Sequence, residues 1–205
     1  MSANGRVLIG FAHPVVAQYT AAGNTVSYSK GMILARGVKC ALNLDTSDNN
    51  DFYADDVVAE SENGMFAGGT AAITVDGMHP VAERFVLGLP DPEEVTYGEA
   101  KTKFYKYGDG AKPPYLGYGH VVRYQSDNVE IFVPTIFTKV KFRVPGGSAE
   151  TKGEKKNWQT QELTADLHRD ETLTHDWKWV GEDQTSMEAA VAILHGVLGV
   201  TEVAE

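Results

Sequence analysis

The sequence predicts a mainly β fold: one domain with two short flanking helices. Three observations predict it. Residues 129–144 alternate apolar and polar side chains with a period of two and are rich in β-branched and aromatic types. The 205 residues include 21 glycines, the punctuation that many turns require. Helix signals, by contrast, gather in only two places, near Pro80 and near Thr185.

In chain order, Arg6 to Ala12 reads as a short apolar strand stopped by His13-Pro14, and Val15 to Ser29 as loop or weak strand. Gly37 to Leu44 sets Val38, Cys40, Leu42 and Leu44 against Lys39, Ala41 and Asn43, a half-buried strand. The run Asp45 to Asp51 is a dense loop signal, because Asp and Asn side chains compete with the backbone for local hydrogen bonds. Phe52 to Glu60 reads as an edge strand with two adjacent acids. Ser61 to Gly64 reads as a turn, and Met65 to Val75 as a strand bent at Gly68-Gly69. Pro80 to Leu87 is a helix with proline at its first position and Gly88 after its end; Val81 and Phe85 line one stripe, and Ala82, Val86 and Leu89 the next. Pro90 to Lys112 is mixed, with an acidic turn at its start, and Tyr115 to Tyr124 is an aromatic strand interrupted by glycine.

The central stretch is Asn128 to His168, two long strands joined by the polar loop 145–156. Alternation slips phase at Pro134-Thr135, which predicts a bulge or an edge there. One face of the first strand carries Lys139, Lys141 and Arg143. In the return strand, Trp158, Thr160, Glu162, Thr164 and Asp166 share one face and Gln159, Gln161, Leu163, Ala165 and Leu167 the other; neither reads as cleanly apolar. Such a strand suits a surface that meets another subunit or a wet channel; an ordinary solvent-facing hairpin fits it equally well. Trp177 to Val180 is a short strand, and Thr185 with Glu188 forms a capping box for a helix near 186–198.

Composition bounds the function. A net charge of −10 disfavours a sequence-reading nucleic-acid binder, though not a protein past which nucleic acid slides. Cys40 is the single cysteine, so packing or association must hold the fold without an intramolecular disulfide. The first residues lack an apolar signal core and no apolar run has the length of a membrane span, which predicts synthesis and first folding in a cytoplasm.

Catalytic patterns are missing. The six histidines form no His-Glu-x-x-His, and the glycine runs match no phosphate cradle. His168 and His175 flank Asp170 and Glu171, and Asp45 to Asp56 is rich in oxygen ligands, but solvated loops explain both better than a metal. No enzyme activity, cofactor or metal is expected. Two alternatives remain beside a structural role. One is a carbohydrate-binding β-sandwich using Tyr105, Tyr107, Tyr115, Tyr118, Trp177 and Trp179 as a sugar platform; the other is a hydrolase whose carboxylates meet only on folding.

A run of motifs in order points further: Asp51-Phe52-Tyr53-Ala54-Asp55-Asp56, then Asn63 to Gly68, Ile73 to Asp76, Gly117-Tyr118-Gly119, Glu130 to Pro134, Thr138 to Phe142, Thr151 to Gly153 and Trp158 to Thr160. From Val7 to Ile193 this order resembles the major tail tube proteins of phages with long, flexible, non-contractile tails; Pro145 to Ala149 fit poorly, where family members vary. The resemblance implies an antiparallel β-sandwich or partial barrel flanked by short helices, whose copies form hexameric rings stacked into a hollow tube that conducts genomic DNA. It implies a virion protein assembled in the host cytoplasm, with itself, the tape measure protein, the tail terminator and tail-tip proteins as partners. Carried onto this chain, Asp48, Asp51, Phe52, Tyr53, Asp55, Asp56, Lys152, Lys155 and Trp158 are the expected assembly residues, and Thr160, Glu162, Thr164 and Asp166 the expected lumen lining. The row of Lys139, Lys141 and Arg143 is expected to face a neighbouring subunit's acids or bulk solvent, away from the bore, and 45–56 and 145–156 are expected to order on assembly.

Overall fold

The computed structural model describes residues 5–201 apart from 49, 55, 63, 148–150 and 152–157, with backbone alone for 50–54 and 57–62. Its elements, in order, are β1 (Val7–Ala22), β2 (Thr25–Ile33), β3 (Gly37–Thr46), β4 (Asn50–Ala54), β5 (Val57–Glu62), β6 (Phe66–Val75), α1 (Pro80–Leu87), β7 (Glu93–Tyr97), β8 (Ala100–Phe104), β9 (Leu116–Ser126), β10 (Val129–Phe142), β11 (Gln161–His168), β12 (Lys178–Val180) and α2 (Met187–Leu198). One eight-stranded antiparallel sheet runs β2-β1-β9-β10-β11-β6-β3, with β12 also paired to β10, while β4–β5 and β7–β8 are separate hairpins.

The sheet folds over along β10, which meets β11 in only four pairs, Lys139 to Phe142 against His168 to Ala165. Ala71, Ile73 and Val75 of β6 and Leu163, Ala165 and Leu167 of β11 therefore pack onto Val16, Leu116, Tyr118, Phe137 and Val140 of the other half. The result is a β-sandwich rather than a closed barrel, since no ladder joins β3 to β1 among the described residues. α1 plugs this layer: Ala82, Val86, Leu87 and the following Leu89 enter the same core. Its ends follow the sequence signals, with His79 accepting from Val81 N–H at 3.4 Å, Pro80 opening the first turn and Gly88 in the left-handed conformation.

A second core lies on the outer side of β1, β9 and β10, where Ala190, Leu194 and Leu198 of α2 cover Val15, Ala17, Val121, Phe132 and Ile136. The glycines of Gly117-Tyr118-Gly119 make this possible. A Cβ on Gly119 would stand 2.5 Å from Leu194 Cδ1, and one on Gly117 would stand 2.5 Å from Tyr28 Cε1. Tyr118 points the other way, into the first core. Ser186 caps α2, accepting from Ala189 N–H at 3.2 Å, so the cap sits one residue after Thr185 and the expected box with Glu188 does not form.

Several boundaries differ from the sequence pattern. His13-Pro14 does not stop β1; it is a bulge, with His13 at φ 52 and the register shifting between Ala12 and Val15. Pro14 O, freed from the ladder, accepts from Leu34 N–H at 2.9 Å. Of the two readings for Val15 to Ser29, loop or weak strand, the strand holds: the segment is a hairpin turned by Gly23 at φ 60. In β10 the phase change comes at Thr138, not Pro134, because both faces of 132–138 are covered and alternation there carries no inside–outside signal. The bulged Thr138 is held by Tyr28 Oη–H to its carbonyl at 2.8 Å and by its own hydroxyl to Asp176 O at 2.7 Å. The expected loop 45–56 contains strand: β3 runs to Thr46 and β4 starts at Asn50.

Candidate functional site

The register fixes which side chains share the outer face of the β11–β6–β3 layer. Thr70 pairs with Asp166 and with Asn43, Ala72 with Thr164 and Ala41, and Thr74 with Glu162 and Lys39. This face is polar, with short side chains at Thr70, Ala72, Thr74 and Thr164 between the longer Lys39 and Glu162. The opposite face of β11 is apolar from Leu163 on, with Leu163, Ala165 and Leu167 buried, while Gln161 at its start accepts from Met78 N–H at 3.1 Å. The mixed character expected for both faces is thus corrected: Ala165 is small but fully enclosed.

Glu162, Thr164 and Asp166 stand together on the polar face, and Thr160 lies exposed just before β11. The basic row of β10 belongs to the same face, since Lys139 pairs with His168 and Lys141 with Asp166. The row therefore shares a face with Glu162, Thr164 and Asp166, so the expectation that it lies away from the bore and the expectation that those three line the bore do not hold together. Arg143 donates to Asp166 at 2.6 Å, and Lys139 is paired with Glu171 in the same chain. The hydrogen bond to Asp166, then that carboxylate's charge, raises the Arg143 guanidinium's already high pKa. His168 packs edge-on against Tyr115; burial, then the charge of Lys139, holds its pKa below the usual histidine value.

A second feature is an open cleft of about 410 Å³ between the first half of β1 and the edge strand β3. β1 and β3 meet where Phe11 touches the backbone of Gly37, and the cleft opens beyond that contact. Leu8, Ile9, Val38 and Leu42 line it, and none of the four is buried. His120, Phe137 and Cys40 also contribute. His120 is buried and its Nδ1 has no hydrogen-bond partner; burial, with the nearby Lys178 charge, brings its pKa down to about 3 and keeps the ring neutral. Burial also pushes the Cys40 thiol up to about 11.

The expected assembly residues are divided. Asp51, Phe52 and Tyr53 lie on β4, and Asp56 forms the turn to β5 at φ 63, so one hairpin carries these four; Asp48 is exposed after β3. Trp158 is exposed ahead of β11, while Asp55, Lys152 and Lys155 lie outside the described residues, as does most of the 145–156 loop.

The sequence pattern missed the β7–β8 hairpin. Its pairs are Glu93–Phe104, Val95–Thr102 and Tyr97–Ala100 on one face and Glu94–Lys103 and Thr96–Lys101 on the other, and every residue of it is exposed. Val95, Tyr97 and Phe104 make one side apolar, yet all three are exposed. The short strands were hidden by their charge; the turn Gly98-Glu99, with Gly98 at φ 63, was the one readable sign.

The candidate sugar platform does not form as one surface. Tyr118 is fully buried; Trp177 stacks on Phe66 at 4.4 Å, and Trp179 packs against Tyr28. Asp170 is the buried carboxylate among the described residues, and its Oδ1 caps its own loop by accepting from Thr172 N–H at 3.0 Å. Among the described residues no group of three or more His, Cys, Asp or Glu could hold a metal ion, and no helix is long and apolar enough to cross a membrane. No family model matches this chain, and no curated protein matches it.

Proposed function

We propose that this chain is a structural subunit that works only in multiple copies: the tail tube protein of a phage with a long, non-contractile tail, assembled as stacked hexameric rings around a bore that conducts DNA. The observation that carries this reading is the polar outer face of β11–β6–β3. A sheet layer this wide, lined by Thr70, Ala72, Thr74, Thr164 and Asp166, has none of these five buried among the described residues, and its hydroxyl and carboxylate groups suit a wet wall. Of Lys39, Lys139, Lys141 and Arg143 on this face, two are answered within the chain, Arg143 by Asp166 and Lys139 by Glu171. That pairing lowers the number of cations free to hold passing phosphates by counterion release. The net charge of −10 works in the same direction.

The remaining surfaces fit the same role. Copies that pair free strand edges with one another remove the edges that would otherwise drive disordered aggregation. Head-to-tail contacts that do not close produce a filament. In this reading the chain is not an enzyme; its partners are other copies of itself and the proteins that begin and end the tube, and its place is the virion.

The test is negative-stain electron microscopy of the purified protein over a range of concentrations, with and without a tail-tip template. Hollow tubes of uniform width support the reading. Monodisperse single copies at every concentration, unchanged by template, contradict it.

A further inference from the structure

We propose that the β7–β8 hairpin of one copy docks, apolar face down, into the open cleft between β1 and β3 of the next copy. The inference rests on the self-association proposed above and names the contact that makes it. Two features of the fold are incomplete in one chain, and each supplies what the other lacks.

The first is the hairpin. Ten paired residues with no core of their own are marginal in water, yet this hairpin carries Val95, Tyr97 and Phe104 on one face, with Tyr97 89% exposed. The second is the cleft. Among the described residues, Val7 to Ala12 of β1 pair with β9 alone, because the ladder to β2 begins only at Val15, and β3 pairs with β6 alone. Both strands thus present an unpaired edge to the cleft, and Leu8, Ile9, Val38 and Leu42 supply its apolar lining. An extended segment arriving there can add to a strand edge while burying its apolar side chains, the combination that strand addition uses.

The other end of the sheet makes the asymmetry plain. There the edge strand β2 gains one partner, with Gly31 bridged to Val200 and its N–H donating to Gly199 O at 3.1 Å. No such bridge is made to the outer edge of β3 among the described residues.

Charge favours the hairpin as the occupant. Lys39 and Lys178 line the cleft, no acid does, and neither lysine forms an ion pair among the described residues. The hairpin brings Glu99 at its tip, in the turn between Tyr97 and Ala100 at the end of the apolar face, while Glu94 stands opposite Lys103 on the other face. Because hairpin and cleft are different surfaces, the contact is head-to-tail and propagates from copy to copy.

The experiment is disulfide trapping in the full chain with Cys40→Ala as background. One variant adds Val38→Cys and Tyr97→Cys together; a control adds Leu173→Cys, on an exposed loop, with Tyr97→Cys. After mild oxidation the first variant should give a ladder of cross-linked species beyond the dimer, about tenfold more than the control, because docking raises the effective concentration of one thiol at the other. Assemblies visible by electron microscopy but no excess cross-linking over the control would overturn this contact while leaving self-assembly standing. Dimers alone would overturn its head-to-tail form. No assemblies and no ladder would overturn both. As a second readout, Tyr97→Glu should leave the melting temperature of the single copy unchanged and abolish assembly; assembly that survives it overturns the proposal.

Discussion

Arg143 holds Asp166 across the seam where β10 meets β11: Nη2 stands 2.6 Å from Oδ1, and Nε lies 3.1 Å from each carboxylate oxygen. Two rows that look unrelated in the sequence, one basic and one polar, are thereby neighbours on a single face. The pairing explains how cations can sit on a surface read as a DNA bore without gripping what passes.

That pair is largely in water, so its contribution to folding is small. Arg143→Gln should shift the thermal midpoint by less than about 4 °C. Arg143→Glu sets a second acid against Asp166 and should lower the midpoint further. Circular dichroism melts of the three proteins check the order.

Gly119 tests the seating of α2. Alanine there places a methyl against Leu194 and Leu198, both fully buried. The expected loss is about 1–3 kcal/mol, the usual cost of overpacking. Leu194→Ala alone should cost about 2–5 kcal/mol through the cavity it leaves. Combining the two should cost less than their sum, because each change relieves the other. Urea denaturation of the single and double variants measures this.

His120 gives a pH dependence with a definite sign. Its folded pKa is about 3, lowered chiefly by burial and then by Lys178, against 6.5 when unfolded. Below 6.5 the unfolded chain binds a proton that the folded chain refuses, so stability is complete above that pH and falls as pH drops toward 3. The slope from this group reaches at most about 1.4 kcal/mol per pH unit. His120→Phe, in a pocket already made by Phe11, Tyr118 and Phe137, should flatten that part of the curve. Urea midpoints for both proteins at pH 7, 5.5 and 4 check the difference.

Cys40, with its thiol at about 11 through burial, should react with a thiol reagent at neutral pH far more slowly than free cysteine, and at the ordinary rate once urea unfolds the chain. Time courses with and without urea check this.

How much of this was legible depended on the kind of signal. α1 was readable to the residue because Pro80 and Gly88 mark its ends chemically. α2 was placed but its cap was not, since Thr185 and Ser186 are both competent and only the backbone path chooses between them. The inner face of β11 looked mixed because Ala165 and Gln161 are weak markers between Leu163 and Leu167, and the partner strand that buries them is far away in sequence. The bulges at His13 and Thr138 leave no periodic trace: one uses positive φ at a residue other than glycine, and the other sits where both faces are covered. The shared face of Arg143 and Asp166 needs a register, which a single strand pattern does not contain. The β7–β8 hairpin escaped notice because Glu, Lys and Thr dominate it, and the residues of its apolar face remain exposed.

The central claim is that copies of this chain close around a water-filled bore lined by the polar sheet face. Electron cryomicroscopy of the concentrated, assembled protein tests it most directly. The account predicts a hollow tube whose inner wall carries Glu162, Thr164 and Asp166, with α2 away from the bore. Particles that remain single copies, or a tube whose inner wall is α2, would contradict it.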